Sequence, residues 1–265
     1  MKKSDHQKKN FAHGKRVKKE HGQNFLRDEQ VLDYIVNSID LSNSNIIEIG
    51  CGDGALTKTI LEKPIDKLLI YEIDADWVQH IKKTISDDRL EIKHQNFLDI
   101  DLQADLAGLK WKVMANLPYH ITFPILKRFV SIIPLITEGV IMVQEEVAQK
   151  IVANYGRSYG YISLYFQYYF DWKLLAKVPP QAFFPAPKVF SRLLYLKPRE
   201  ERPVIKNIDE FWIFIKAAFS QPRRTLRNCL SSYHYNTSKI SDDILALRAQ
   251  QISYEKFIEI WHNII

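Results

Sequence analysis

Five short apolar runs, at residues 46–49, 67–74, 90–97, 112–116 and 138–144, alternate with stretches whose apolar residues recur at helical spacing. A strand that is apolar on both sides of its pleat must be covered on both faces. A parallel sheet joined by crossover helices meets that demand. The first helical stretch, 28–40, places Leu32, Ile35, Val36 and Ile39 on one face. Stretches 55–62 and 76–85 follow the next two runs. Strands and helices in alternation predict an α/β fold with right-handed crossovers. Two later segments differ. Residues 164–178 are rich in aromatics, and 191–197 follow a proline-rich loop. Both read as strands, closing one edge of the sheet as a hairpin-like pair. Residues 199–208 are polar, contain Pro203 and read as a linker. Helical patterns at 209–219, 222–230, 241–247 and 253–264 then follow without strand signals, so a small helical domain is expected at the C-terminus.

The 265 residues suffice for one large domain, or one full domain and a small one, and an apolar content of 46% supports a sizeable core. No apolar run approaches the roughly 18–20 residues that span a bilayer. The basic N-terminus lacks the apolar segment of a secretory signal, so a cytoplasmic protein is expected. Cys51 and Cys229 stand far apart with no CxxC or His/Cys cluster. This spacing offers no metal site and suits two reduced thiols. Net charge is +6, and residues 1–20 hold eight Lys/Arg against Asp5 and Glu20, so the excess lies wholly in that leader. Such a tail is too polar to fold alone and suits a polyanion, a solubilising leader being the alternative. A second basic cluster, Arg223, Arg224 and Arg227, lies near the other end of the chain and adds to the case for a nucleic-acid partner.

The first apolar run ends in E-I-G-C-G-D-G-A-L-T, residues 48–57, with Gly50, Gly52 and Gly54 two apart. Glycines here permit positive φ and a close backbone approach to a ligand at a helix N-terminus. The third glycine comes one residue earlier than in a dinucleotide fingerprint, which suits a nucleoside without phosphates. Glu72 ends the second run, 22 residues past Gly50, where a carboxylate accepts ribose hydroxyls. S-adenosylmethionine fits this pattern best. The third run ends in Q-N-F-L-D, where Asn96, or alternatively Asp99, would meet the cofactor adenine.

The fourth run ends in Asn116-Leu117-Pro118-Tyr119. An exocyclic adenine amine is a poor nucleophile, because its lone pair is delocalised into the ring. Two acceptors, the Asn116 side-chain oxygen and a backbone carbonyl of Leu117 or Pro118, would orient it towards a methyl donor. Pro118 stiffens the turn, and Tyr119 offers a stacking face. Phe183 or Phe184 would close over the other face of a flipped-out base.

These segments, together with Gln23-Asn24-Phe25-Leu26, F-F-P-A-P-K-V from Phe183 and F-S-Q-P-R-R-T-L-R-N from Phe219, resemble the ribosomal RNA adenine dimethyltransferases over nearly the whole chain. The resemblance implies a Rossmann-like class I methyltransferase sheet, mostly parallel and seven-stranded. Its implied layout is a flexible leader at 1–20, a methyltransferase domain at 21–199 and an all-helical RNA-docking domain at 200–265. Within the family it is similar to the enzymes that dimethylate two adjacent adenines near the 3′ end of 16S rRNA. It implies a monomer acting on an immature 30S subunit. Methylation of 23S rRNA, or a non-catalytic role in ribosome assembly, are the alternatives. By motif, Gln23, Asn24 and Leu26 would cover S-adenosylmethionine, Gly50 would line its loop and Glu72 would hold its ribose. Asn96 stands where the family usually has aspartate. Asn116, which would also border the cofactor, and the Leu117–Pro118 backbone would hold the target amine, with Tyr119 and Phe183 sandwiching the base. His120 and Thr122 replace the family's usual Asn and Ser.

Overall fold

The computed structural model describes residues 23–106 and 108–265, with the short strands Phe11–Ala12 and Lys15–Arg16. Those two strands pair antiparallel, and Ala12 packs with Phe25 and Trp77. The rest of the expected leader, 1–20, lies outside the described residues.

Seven strands form one sheet: β1 (Asn45–Ile49), β2 (Lys67–Glu72), β3 (Leu90–His94), β4 (Trp111–Asn116), β5 (Ile136–Gln144), β6 (Phe170–Val178) and β7 (Ser191–Pro198). Their order is β3-β2-β1-β4-β5-β7-β6. β1 to β5 run parallel, while β7 pairs antiparallel with β5, Ser191 lying opposite Gln144. The mostly parallel sheet expected from the apolar runs is therefore present. The order reverses between β1 and β4, and a crevice opens there at the carboxyl ends of both strands.

The helices interleaved with β1–β6 are α1 (Glu29–Asn37), α2 (Ala55–Leu61), α3 (Ala75–Thr84), α4 (Leu102–Asp105), α5 (Thr122–Ser131), α6 (Glu145–Val152) and α7 (Tyr161–Tyr169). The Asp28 side chain caps α1 through the Val31 N–H, and Leu32, Ile35 and Val36 form its buried stripe. Pro124 lies in the first turn of α5, where its missing N–H deprives the helix of no bond.

The chain divides into two compact units, 1–148 with 173–198, and 149–172 with 199–265. The second unit contains α7, α8 (Ile208–Ala218), α9 (Leu226–Ser231), α10 (Asp242–Ala246) and α11 (Tyr254–Ile264). It corrects the sequence reading in two ways. Residues 164–169 are not the start of a strand; they complete α7, and β6 begins at Phe170. Nor does the unit consist of 200–265 alone. Leu164 and Tyr168 are buried in its core with Phe211, Trp212 and Phe214, and Tyr165 packs a 5.0 Å edge contact on Trp212. Burying this aromatic face on α8 decides both differences, because the local preference of Tyr and Phe for strands is weak against it.

β4 and β5 approach closely at Gly139, which lies opposite Val113. A Cβ placed on Gly139 would stand 2.8 Å from the Val113 carbonyl oxygen, a backbone atom fixed in the sheet. Gly139→Val is therefore expected to lower stability by about 1–3 kcal/mol, read as a fall in the thermal or urea unfolding midpoint.

Candidate active site

A cavity of about 320 Å³ lies at the crevice of the first unit. That volume falls in the range of small-molecule sites. Its floor is the glycine loop. Gly50, Gly52 and Gly54 take φ of +72°, +52° and +84°, a sequence of left-handed conformations open to glycine alone at low cost. The loop folds back through Gly50 N–H to the Tyr71 carbonyl at 2.9 Å. α2 then starts from Gly54, its N-terminal N–H groups adjoining the loop.

Three buried carboxylates border the cavity: Glu48, Asp53 and Glu72. Glu72 ends β2, and its two oxygens are held in place by backbone N–H groups, Gly52 at 3.1 Å and Asp74 at 2.8 Å. The Cys51 thiol donates to the same carboxylate at 3.7 Å. Oε1 keeps a lone pair for a further donor, and on Oε2 the second is held by the thiol, a weak donor that a hydroxyl can displace. Burial raises the Glu72 pKa despite the two amide bonds. Glu48 is 1% exposed and accepts from the Thr57 hydroxyl at 2.7 Å. Burial pushes its carboxyl up to about 8; the Thr57 bond opposes this, and the Glu72 and Asp53 charges add to it. Asp53 pairs with Arg27. A wall holding three acids favours a cationic ligand.

The segment expected as a cover, residues 23–26, lines the cavity. Gln23, Asn24 and Leu26 all border the cavity. Gln23 donates to Asp74 at 2.9 Å. Residues 25–26 pair antiparallel with 183–184, and Arg27 N–H donates to the Ala182 carbonyl at 2.7 Å. This pairing corrects the reading of Phe183. Its side chain is 4% exposed and packs in the core with Leu26, Ile35 and Val178, away from the cavity lining. Phe184 packs instead with Ala12, Phe25 and Trp77. Both residues pair with the cover, and neither lines the cavity.

Opposite the loop, β4 delivers Asn116 to the cavity. The Asn116 amide nitrogen donates to the Asn24 carbonyl at 3.0 Å. Because a carbonyl only accepts, this bond fixes the carboxamide with its oxygen turned the other way. Leu117 N–H donates to the Met142 carbonyl, which pins the turn to β5. Pro118's carbonyl is engaged by Ile121 N–H at 3.2 Å and by the Thr122 hydroxyl at 3.3 Å. Thr122 is 1% exposed and also reaches the Tyr119 carbonyl, so its hydroxyl ties the turn to the start of α5. The Tyr119 ring is half-buried; its hydroxyl bonds Ser191, at the start of β7, and burial raises its pKa. His120 is exposed at the cavity rim.

Asn96, just past β3, borders the cavity with Phe97 and Leu98. Its amide nitrogen donates to Asp99 at 2.7 Å, and its oxygen accepts from Leu98 N–H at 3.1 Å. Glu48 and Asp53 are acidic cavity residues to which the sequence reading assigned no role. Their signal was present: an acid inside the apolar strand β1, and a second within the glycine loop. Among the described residues no three His, Cys, Asp or Glu side chains gather as metal ligands.

The sheet order, the antiparallel β7 and the glycine loop at the reversal define a class I methyltransferase fold. The chain belongs to the ribosomal RNA adenine dimethylase family, whose model matches residues 14–264. It is 37% identical over 243 residues to the ribosomal RNA small subunit methyltransferase A of Mycoplasma mobile, across 90% of this chain and 91% of that one. It is 36% identical over 274 residues to the protein of that name from Clostridioides difficile, across 98% and 93% of the two chains. The fold is shared with a dimethyladenosine transferase from Plasmodium falciparum, at TM-score 0.73 and 23% identity over 89% and 95% of the chains. It is shared also with the 23S rRNA methyltransferase ErmE, at TM-score 0.70 and 21% identity over 90% and 100%.

The carboxylate wall has a consequence for stability. The folded-state pKa of Glu48, about 8, lies above its ordinary value of 4.5, so the folded protein binds this proton more tightly than the unfolded chain. Its contribution is present below pH 4.5 and is lost as pH rises towards 8. Glu72 is shifted in the same direction. Melting temperatures measured without ligand are expected to fall between pH 5 and 8 less steeply in Glu48→Gln than in the parent protein. Parallel curves would contradict the assignment.

Proposed function

We propose that this protein uses S-adenosylmethionine to dimethylate the N6 amines of two adjacent adenines near the 3′ end of 16S rRNA, acting as a monomer on an immature 30S subunit in the cytoplasm. The observation that carries the reading is the fixed Asn116 carboxamide, which borders the cavity with Tyr119 and, its nitrogen tied to the Asn24 carbonyl, keeps its oxygen as an acceptor for a ligand. The family supports the substrate class, and the names of the Mycoplasma mobile and Clostridioides difficile relatives support the small subunit.

The residues present fit the cofactor. The glycine loop allows a ligand to approach the backbone, and Glu72 has two oriented oxygens for neighbouring ribose hydroxyls. The acidic wall suits a group that carries a sulfonium and an ammonium. Gln23, Asn24 and Leu26 cover the site. When bound, the cofactor supplies an electrophilic methyl group.

The chain's own residues make the acceptor amine reactive. Asn116 Oδ1 takes one N–H. Pro118's carbonyl is engaged within the turn, which leaves Leu117's to take the other. Two acceptors placed at the turn draw the N–H bonds out of the ring plane, which takes the amine lone pair out of conjugation and aims it into the cavity. Tyr119 holds the base by stacking, worth roughly 1–3 kcal/mol. Its ring orientation is set by the bond to Ser191. Orientation and preorganised dipoles do this work, without a strong general base. In the second unit, Arg223 and Arg224 are exposed just before α9 and supply phosphate contacts for docking the RNA.

Asn116→Ala is expected to lower transfer to undermethylated small subunits about a hundredfold or more, with cofactor affinity changed only a few-fold. Labelled cofactor measures transfer, and primer extension across the 16S 3′ end locates the product. Full activity in this variant would sink the mechanism. Label in 23S rRNA, or binding to subunits with no transfer at saturating cofactor, would sink the proposed function.

A further inference from the structure

A carboxamide presents two ends of nearly equal shape and opposite hydrogen-bonding character. An asparagine on a binding-site wall therefore reads either a donor or an acceptor on its ligand, according to which end it turns inwards. Asn96 is such a residue. It borders the cavity just past the carboxyl end of β3, two strands from the reversal in strand order.

Its two local partners leave it only one orientation. Asp99 Oδ2 accepts from Asn96 Nδ2 at 2.7 Å, and a carboxylate oxygen is an acceptor. Leu98 N–H, which can only donate, reaches Asn96 Oδ1 at 3.1 Å. Reversing the carboxamide would set oxygen against carboxylate and NH2 against N–H, and both bonds would be lost. The turn itself keeps Asp99 in range, because Asp99 N–H donates to the Asn96 backbone carbonyl at 3.0 Å. Asp99 is exposed and is absent from the cavity lining, so it acts on a ligand only through Asn96.

We propose that Asp99 is a positioning residue that locks the Asn96 oxygen towards the cavity, so that the site selects a nucleobase bearing an exocyclic amine over one bearing a carbonyl. This rests on the reading of the cavity as a nucleoside-cofactor site. The Asn96 oxygen keeps one lone pair after accepting from Leu98, and an adenine amine donates to it. A hypoxanthine carbonyl at the same position meets that oxygen as a second acceptor and is rejected. Without Asp99 only the Leu98 N–H bond opposes reversal, so the carboxamide turns over more readily and accommodates either base.

The test is binding of S-adenosyl-L-homocysteine and S-inosyl-L-homocysteine to the full chain by calorimetry, with melting temperature read alongside. The parent protein is expected to prefer the adenosyl ligand by about tenfold or more. Asp99→Ala is expected to reduce that preference to within about threefold, a change in ratio that general loosening of the loop would not produce. Adding Asn96→Asp to Asp99→Ala restores the preference, since a carboxylate presents acceptors at both ends. Asn96→Asp alone sets two carboxylates side by side and weakens adenosyl binding relative to the double variant. An undiminished preference in Asp99→Ala, no preference in the parent protein, or no restoration in the double variant overturns the proposal. If the parent protein binds neither ligand, the cofactor reading falls and takes this proposal with it. If it prefers the adenosyl ligand and Asp99→Ala does so equally, the cofactor reading stands and only the role of Asp99 is lost.

Discussion

The hydrogen bond from the Asn116 amide to the Asn24 carbonyl joins two segments 92 residues apart, and the site depends on it. One of its ends belongs to β4, placed by parallel pairing with β1 and β5. The other belongs to the cover, placed by pairing with residues 183–184. The bond therefore brings the acceptor turn and the cover together over one cavity. It also settles the direction of the Asn116 carboxamide. Without it, an asparagine at the end of a strand would offer either end to a ligand, and the acceptor needed to aim an amine would be present for only part of the time.

The electrostatics of the cavity favour occupancy. Glu48, Asp53 and Glu72 are all 5% exposed or less. Burying carboxylates this close together raises the pKa of Glu48 and of Glu72, and that is a cost to folding above pH 5. Backbone amides, the Thr57 hydroxyl and Arg27 offset part of it. A cationic ligand offsets more, since an opposite charge nearby favours the ionised form of every acid on the wall. The site is thus less stable empty than filled, which couples ligand binding to the rigidity of the loop.

The sheet was legible because its strands are apolar on both faces, and the glycine loop because three left-handed conformations in five residues admit only glycine. The acceptor turn was legible for a similar reason: Asn, Pro and an aromatic ring in that order serve no core. Other features depended on distant partners. The Tyr-rich stretch 161–169 carries apolar residues at nearly every position, so neither helical nor strand period stands out. Trp212, far along the chain, selects the helix by giving its face somewhere to pack. Phe183 and Phe184 are indistinguishable in sequence, and a strand pair with Phe25 and Leu26 sends Phe183 into the core and leaves Phe184 half-buried against Ala12, Phe25 and Trp77. Glu48 was visible as an acid in an apolar strand, but its raised pKa follows from burial that no single segment reveals.

Two asparagines now share one logic. Asn116 and Asn96 each face the cavity, and each is a group that would be ambiguous alone. A backbone carbonyl orients the first, and a carboxylate three residues on orients the second. In both, the amide nitrogen is tied back to the protein; the Asn116 oxygen is left for a ligand, and the Asn96 oxygen keeps one lone pair beside its bond to Leu98 N–H. Both therefore offer a neutral acceptor to an amine; in the proposed function one meets an RNA base and the other a cofactor base. Neither adds an ionised group to a wall that already holds three acids, where burial pushes the Glu48 carboxyl up to about 8. A further ionised acid in that position would raise the pKa values of its neighbours and increase the cost of folding the empty site. A carboxamide with a fixed orientation provides the acceptor without that cost, provided the residue that fixes it stays in place.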